Sequence, residues 1–277
     1  MDRMTISSTN TLSQLQKKMD IISNNMSNIE TNGYKKRETY FTDLLAQEFK
    51  NQERDDKEKG RLTPVGLRMG TGAKLTQSRM VLTQGSVKQT ERDLDVALTK
   101  KDLFFKVRGE GNSLQFTRDG AFYLSPSGQN SMMLVTGNGQ SVLDGQNQPI
   151  VIQGDITSLK IREDGQLTAV TEDRGTQTFD LGIVSVQKPQ FLEQKGENML
   201  ALPNNLNSLG VSANEVYTDL NGGLRNTISL QQGALESSNV DLSKEMTDLM
   251  NVQRSYQFQA RTVTMADQMA GLVNGIR

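Results

Sequence analysis

The stretch from Asp20 to Lys36, DIISNNMSNIETNGYKK, closes one kind of sequence and opens another. Leading into it and through it, Leu12, Leu15, Met19, Ile22, Met26 and Ile29 recur at alternating spacings of three and four. That rhythm puts all six side chains on one narrow stripe of a helix over Thr5 to Ile29. Such a stripe buries itself either on its own domain or against a partner helix. Asn24, Asn25, Ser27 and Asn28 interrupt it. Asn and Ser compete with helical backbone bonds, so local stability does not explain them. They are exposed polar positions or groups that bond a neighbouring backbone. Asn32 and Gly33 then supply a left-handed stop, and Tyr34, Lys35 and Lys36 carry the chain onward.

The other end of the chain answers this stripe. From Ser237 there is no Pro and no Gly before Gly271, and Leu242, Met246, Leu249, Val252, Tyr256, Val263, Ala266, Met269, Val273 and Ile276 keep helical spacing. Two long terminal helices separated by unlike sequence most simply pair with each other. The fold class expected is therefore α+β, with the terminal helices forming a coiled-coil-like layer that encloses an all-β middle domain. The expected divisions are an N-terminal helix within 1–45, a charged extended arm over 46–74, the β domain over 75–226 and the C-terminal helix within 227–277. Tyr40 to Phe49 reads as a short helical continuation, because Phe41, Leu44 and Leu45 share a face. In the arm, ten of the fourteen residues from Glu48 to Arg61 are charged, which describes a solvated loop or a segment that orders against a neighbour.

From Leu75 the pattern changes to short apolar runs. Val96 to Leu98, Leu103 to Val107, Leu114 to Phe116, Phe122 to Leu124, Leu134 to Thr136, Ile150 to Ile152, Leu159 to Ile161, Leu167 to Val170, Phe179 to Val186 and Met199 to Leu202 all read as strands. Glu110–Gly111, Asp119–Gly120, Ser127–Gly128, Asn138–Gly139 and Asp164–Gly165 separate them as turns. Asn204 to Gly223, rich in Asn, Ser and Gly, reads as a return linker.

Composition narrows the chemistry. The 277 residues carry 31 Lys and Arg against 32 Asp and Glu, so there is no one-signed field to attract nucleic acid. With no Cys and no His, thiol and imidazole catalysis, disulfides and the common zinc sites are excluded. Gly70, Gly72, Gly109 and Gly111 form GxG pairs without the third glycine of a dinucleotide loop, and no phosphate loop occurs. The carboxylate pairs Asp93 with Asp95 and Asp55 with Asp56 read as surface charges. Neither an enzyme nor a cofactor, metal or small-molecule substrate is expected. The first twenty residues lack the apolar run and small-residue cleavage site of a secretory signal peptide, so export is expected to proceed without cleavage.

With these residues in view, the chain resembles the bacterial flagellar rod and hook family, and within it the distal rod branch. Met19 to Lys35 is similar to the family's N-terminal signature. Further matches are Gln84, Gly85, Val87 and Thr90 to Ala97 with Phe104 and Phe105; Phe116 to Gly120 with Phe122; and Gln232, Gly233, Leu235, Glu236, Ser238, Asn239 and Val240, followed by Glu245, Met246, Leu249, Gln253, Arg254, Tyr256, Asp267 and Met269. After Leu98 the sequence Thr99 to Leu103 departs from the family's glycine-containing turn. The resemblance implies a structural subunit that leaves the cell through the flagellar type III export apparatus and stacks helically into a hollow shaft in the basal body. It implies as partners copies of the chain itself and neighbouring rod and hook subunits. The expected assembly interface is Leu12, Leu15, Met19, Ile22, Asn24, Asn25, Met26, Asn28 and Ile29 on the first helix, with Leu242, Met246, Leu249, Tyr256, Val263 and Met269 on the second. A hook or proximal rod subunit, or a secreted β-rich adhesin with coiled-coil ends, are the alternative readings.

Overall fold

The computed structural model describes residues 3–43, 47–49, 67–69, 73–128, 130–196, 198–203, 206 and 210–275. The first helix, α1, covers Arg3–Ser27, and Gly33 adopts φ 69° six residues after it, the left-handed conformation expected of the stop. Next come β1 (Arg37–Asp43), β2 (Gln47–Phe49), β3 (Leu67–Met69) and β4 (Ala73–Met80). β1 pairs with β4, and β2 with β3. Where the short helix was expected over Tyr40 to Phe49, the described residues 40–43 and 47–49 are strand instead. Thr39, Tyr40, Phe41 and Thr42 are a β-branched and aromatic run, and a pairing partner more than thirty residues away overrides the weak helical face. Apart from Glu48 and Phe49, nearly all of the charged arm lies outside the described residues.

The β region follows in the expected order. It comprises β5 (Val87–Gln89), β6 (Val96–Leu98), β7 (Leu103–Arg108), β8 (Leu114–Thr117), β9 (Phe122–Gly128), β10 (Ser131–Thr136), β11 (Ser141–Val142), β12 (Val151–Gln153), β13 (Ile156–Ile161), β14 (Gln166–Thr171), β15 (Gly175–Asp180), β16 (Ile183–Val186), β17 (Glu193–Gln194) and β18 (Met199–Ala201). The short helix α2 (Ala213–Val216) leads into β19 (Tyr217–Asp219), and β20 (Leu230–Gln232) and β21 (Ala234–Glu236) precede the last helix, α3 (Leu242–Gly275). At 34 residues and 1.5 Å per residue, α3 extends about 51 Å.

Ten of these strands make one sheet, ordered β12-β10-β11-β7-β8-β18-β17, with β9 on β10 and with β16 joining β7 to β19. Its middle strand β7 is buried on both faces. Leu103, Phe105 and Val107 enter a core with Phe122, Leu134, Val142, Ile150, Ile152 and Ile183, while Phe104 enters a second core with Phe116, Val184, Val186 and Val216. This is the period-two alternation of a strand serving two cores. β13, β14 and β15 form a separate antiparallel meander whose Leu159, Ile161, Leu167 and Ala169 close the first core.

Two sequence expectations are corrected. Phe179 to Val186 is not one strand: β15 ends at Asp180, the chain bends through Leu181 and Gly182, and β16 begins in the other sheet. The bend needs glycine, because a Cβ at Gly182 would lie 2.5 Å from the Asp144 carbonyl oxygen. Within the stretch read as a return linker, the apolar pair Val216 and Tyr217 forms α2 and β19, with Val216 buried and Tyr217 tilted against Phe116 at 4.9 Å between ring centroids.

The chain divides into two compact units. One comprises residues 1–24, 37–78 and 243–277, and the other 25–36 and 79–242. Because β20 pairs with β6 and β21 with β5, the second unit needs the chain as far as 236. A fragment of residues 79–242 is therefore expected to give a β-type circular dichroism spectrum and one cooperative melt. A fragment ending at 226, lacking both strands and a buried carboxylate, should melt lower by about 10 °C or more. Equal melting temperatures would refute this.

Candidate functional site: a buried ionic junction

Four segments of the second unit, far apart in sequence, meet at Glu236. They are the turn after α1, the stretch before β5, the β8–β9 connection and the end of β21. Gly33 brings the first of them in, its N–H donating to the Glu236 carbonyl oxygen at 2.8 Å. A Cβ at Gly33 would stand 2.5 Å from both the Arg118 carbonyl carbon and the Asp119 nitrogen, so the backbones touch where no other residue fits. Gly85 and Gly120 are hemmed in the same way, against the carbonyl oxygens of Ser237 and Val96.

Between these backbones lie three charges. Glu236 Oε1 accepts from Lys35 Nζ at 2.6 Å and from the Gly85 N–H at 2.9 Å, and Oε2 accepts from Arg118 Nε at 2.8 Å and Nη2 at 2.6 Å. The three side chains expose 3%, 0% and 1% of their surface for Lys35, Arg118 and Glu236. Charges this deep persist only when paired and hydrogen-bonded throughout. Arg118 meets that condition: Nη1 donates to the carbonyls of Lys100, Lys101 and Leu103 at 2.9, 3.0 and 2.7 Å, and its guanidinium lies 5.5 Å from the Phe104 ring centre. The segment from Lys100 to Leu103 is thus held by the arginine. Lys35 also donates to Thr83 O at 2.8 Å.

Asn239 closes the junction. Its Oδ1 accepts from the Lys36 N–H at 2.7 Å, and its Nδ2 donates to the carbonyls of Val81 and Thr83, both at 2.9 Å. Asn25 and Asn28 are buried at the end of α1. The Asn25 Oδ1 accepts from the Tyr34 hydroxyl at 3.1 Å, and the Asn28 Oδ1 from the Thr31 hydroxyl at 3.1 Å. These two Asn residues fasten the turn after the helix, which explains their presence against propensity.

Of the other interface positions expected on the first helix, Ile22 is buried, Leu12, Leu15, Met19 and Met26 are half-buried, as is Ile29 just past the end of α1, and Asn24 is exposed. On α3, Leu249, Tyr256 and Val263 are half-buried along the side that carries the buried Val252 and Ala266, whereas Leu242, Met246 and Met269 are exposed. Sequence reasoning quoted Lys35, Arg118 and Glu236 within separate motifs and did not join them. The available signal was a lone arginine just after the strand residues Phe116 and Thr117 and a lone glutamate closing an apolar strand.

Among the described residues no cluster suited to a metal ion occurs, and no helix is long and apolar enough to cross a membrane. Comparison with known proteins gives the junction its context. Residues 7–35 match the family model for flagella basal body rod proteins, 102–169 the D1 domain of the flagellar hook protein FlgE/F/G, and 231–276 the C-terminal region of the flagellar basal body rod FlgEFG proteins. The chain is 43% identical to the flagellar hook-basal body complex protein FlhP of Bacillus subtilis, covering 99% of each. The chain belongs to the flagellar rod and hook family. It is also 33% identical to the basal-body rod protein FlgG of Agrobacterium fabrum, over 94% of this chain and 93% of that one. To FlgG of Bacillus subtilis it is 30% identical, over 93% and 92%. The N- and C-terminal family regions supply Lys35 and Glu236, and the D1 region supplies Arg118, so the junction is where the family's three parts meet.

Two predictions follow from the charges. Glu236→Gln leaves two buried cations without their anion and should destabilise the protein by about 3–5 kcal/mol in denaturant unfolding; a loss under 1 kcal/mol would show the pairing unimportant. Burial, followed by the nearby Arg118 charge, lowers the Lys35 pKa to about 8 against the opposing pull of Glu236. Above that value the unfolded chain, whose lysine keeps a pKa near ~10.4, holds the extra proton, so the stability contribution of Lys35 rises with pH. Between pH 8 and 10 the wild type should gain stability relative to Lys35→Met, and below pH 7.5 the difference should be flat. The gain levels off as the pH approaches the unfolded lysine's own value of about 10.4, where both states have lost the proton. A falling difference would contradict the assignment.

Proposed function

We propose that the chain is an FlhP-type subunit of the distal flagellar rod that assembles helically with copies of itself through its two terminal helices. As a member of the rod and hook family it is a structural rod subunit of the flagellar basal body. Collinear similarity over almost the whole length to FlhP and to several FlgG proteins is the observation that carries this reading. Bacillus subtilis possesses both named proteins, and the chain stands at 43% to FlhP against 30% to FlgG, which favours the FlhP-like role over the FlgG-like one.

A second feature supports assembly. Phe258, Met265, Met269 and Leu272 on α3 are all more than half exposed, and their spacings of seven, four and three align them on one side, away from Val252 and Ala266. A free protein seldom leaves so many large apolar side chains in one stripe. The α3 helix therefore has two apolar sides. In this reading the inner one pairs with α1 in coiled-coil fashion and the outer one meets a neighbouring copy. A heterologous contact of that kind, repeated without closing, builds a tube. Export through the flagellar type III apparatus without cleavage, and contact with rod and hook subunits above and below, complete the proposal.

Met19→Asp, Ile22→Asp and Met26→Asp each remove roughly 1.5–3 kcal/mol of apolar burial and add a desolvated charge. They are expected to stop tube formation in negative-stain images and to stop swimming, while in Met19→Asp and Ile22→Asp, which lie outside residues 25–36 and 79–242, the β unit melts as before. Normal tubes and normal swimming in all three would reject the paired-helix assembly. Expressed in Bacillus subtilis, the chain should restore motility to a strain lacking FlhP and not to one lacking FlgG; the opposite pattern would reverse the assignment.

A further inference from the structure

Lys106 has no part in the junction or in the helices. It occupies the middle of β7 among apolar neighbours, with its side chain fully buried, a rare position for lysine. Gly182 opens its path: a Cβ there would lie 2.7 Å from Lys106 Cε, so any larger residue would block the side chain. At the end of that path Nζ donates to Asn147 Oδ1 at 2.8 Å and to Asp219 Oδ1 at 2.9 Å.

Both partners are held in place. Asn147 takes the left-handed conformation, φ 63°, its N–H donates to Asp144 O at 3.2 Å, and its carbonyl accepts from Arg108 Nη2 at 3.1 Å. The Asp144 carboxylate stiffens the same loop by accepting from the N–H groups of Gln146 and Gln148, each at 2.8 Å. Asp219 is fixed by the pairing of β19 with β16. An amine, a carboxamide and a carboxylate from three separate segments are thus kept within bonding distance. Fixed proximity of this kind replaces much of the entropic barrier to condensation. Asn147 is exposed and Asp219 half-exposed, which leaves a way out for a small product.

We propose that Lys106 and Asn147 join in an intramolecular isopeptide bond, with Asp219 as the proton carrier. Asp219 takes a proton from the Lys106 ammonium, and the freed amine attacks Asn147 Cγ to form the new C–N bond. The attacking nitrogen passes a proton, by way of the Asp219 carboxyl group, to the amide nitrogen of Asn147. The old C–N bond breaks and that nitrogen leaves as ammonia, which takes up the proton first removed and departs as ammonium. Nothing is oxidised or reduced, and no further reactant is needed. In a chain without cysteine, the bond would staple the central strand of the large sheet to the 144–148 loop.

The test is the mass of the full-length protein before and after prolonged incubation at mildly alkaline pH, followed by peptide mapping. The expected result is a mass lower by one ammonia molecule, together with a branched peptide containing Lys106 and Asn147. Both should be missing in Lys106→Arg and strongly slowed in Asp219→Asn, while Asn147→Asp should instead lose one water. Succinimide formation at Asn138–Gly139 also releases ammonia, so the branched peptide decides. Wild-type protein that keeps its full mass, or yields only separate peptides, overturns the proposal, as does a bond formed equally fast in Asp219→Asn.

Discussion

One carboxylate set between two buried cations governs how the chain is put together. Glu236 reaches Lys35 and Arg118 at 2.6 Å each, and its own backbone receives Gly33. An ion triad without solvent exposure is a poor source of net stability, since desolvation of each member consumes most of the attraction. Its effect is specificity. A misregistered turn after α1, or β21 slipped by one residue, would bury a cation alone at a cost of several kcal/mol. The triad therefore rejects other arrangements more strongly than it favours the observed one.

That specificity suits the assembly proposed for the two terminal helices. The triad fixes the chain just after α1, at Gly33 to Lys36, and just before α3, at Glu236 to Asn239. Helix α1 spends its apolar stripe on half-buried and buried positions, while α3 keeps a second stripe exposed from Phe258 to Leu272. In a rod, any imprecision at the root of these helices would recur in every copy, so a rigid, discriminating anchor matters more than a few kcal/mol of stability.

The periodic parts of this architecture were legible from sequence, and the long-range parts were not. Alternating threes and fours marked α1, the absence of Gly and Pro marked α3, and Gly111, Gly139 and Gly165 marked turns where the structure has φ values of 67°, 78° and 82°. The failures have a common cause. Tyr40 to Phe49 carries a local helical face, yet residues 40–43 lie in β1 because β4 is there to pair with it. Gly182 looked like one small residue inside a strand, yet it marks a change of sheet forced by Asp144 and Lys106. Arg118 and Glu236 were visible as motif residues, but no spacing rule ties positions more than a hundred residues apart. The outer stripe of α3 is not evident from sequence because Met269, which aligns with Phe258, Met265 and Leu272, also fits the spacing of the inner positions.

A double-mutant cycle between Arg118 and Glu236, measured by denaturant unfolding, tests the central claim most directly. Arg118→Met leaves Glu236 with Lys35 alone, Glu236→Met leaves two cations without their anion, and the double variant removes the Arg118–Glu236 pair together. The account predicts a double variant less destabilised than the sum of the single ones by about 2 kcal/mol or more, the signature of directly coupled buried groups. Additivity within about 0.5 kcal/mol would contradict it, because the two charges would then act independently and the junction would not be held by their pairing.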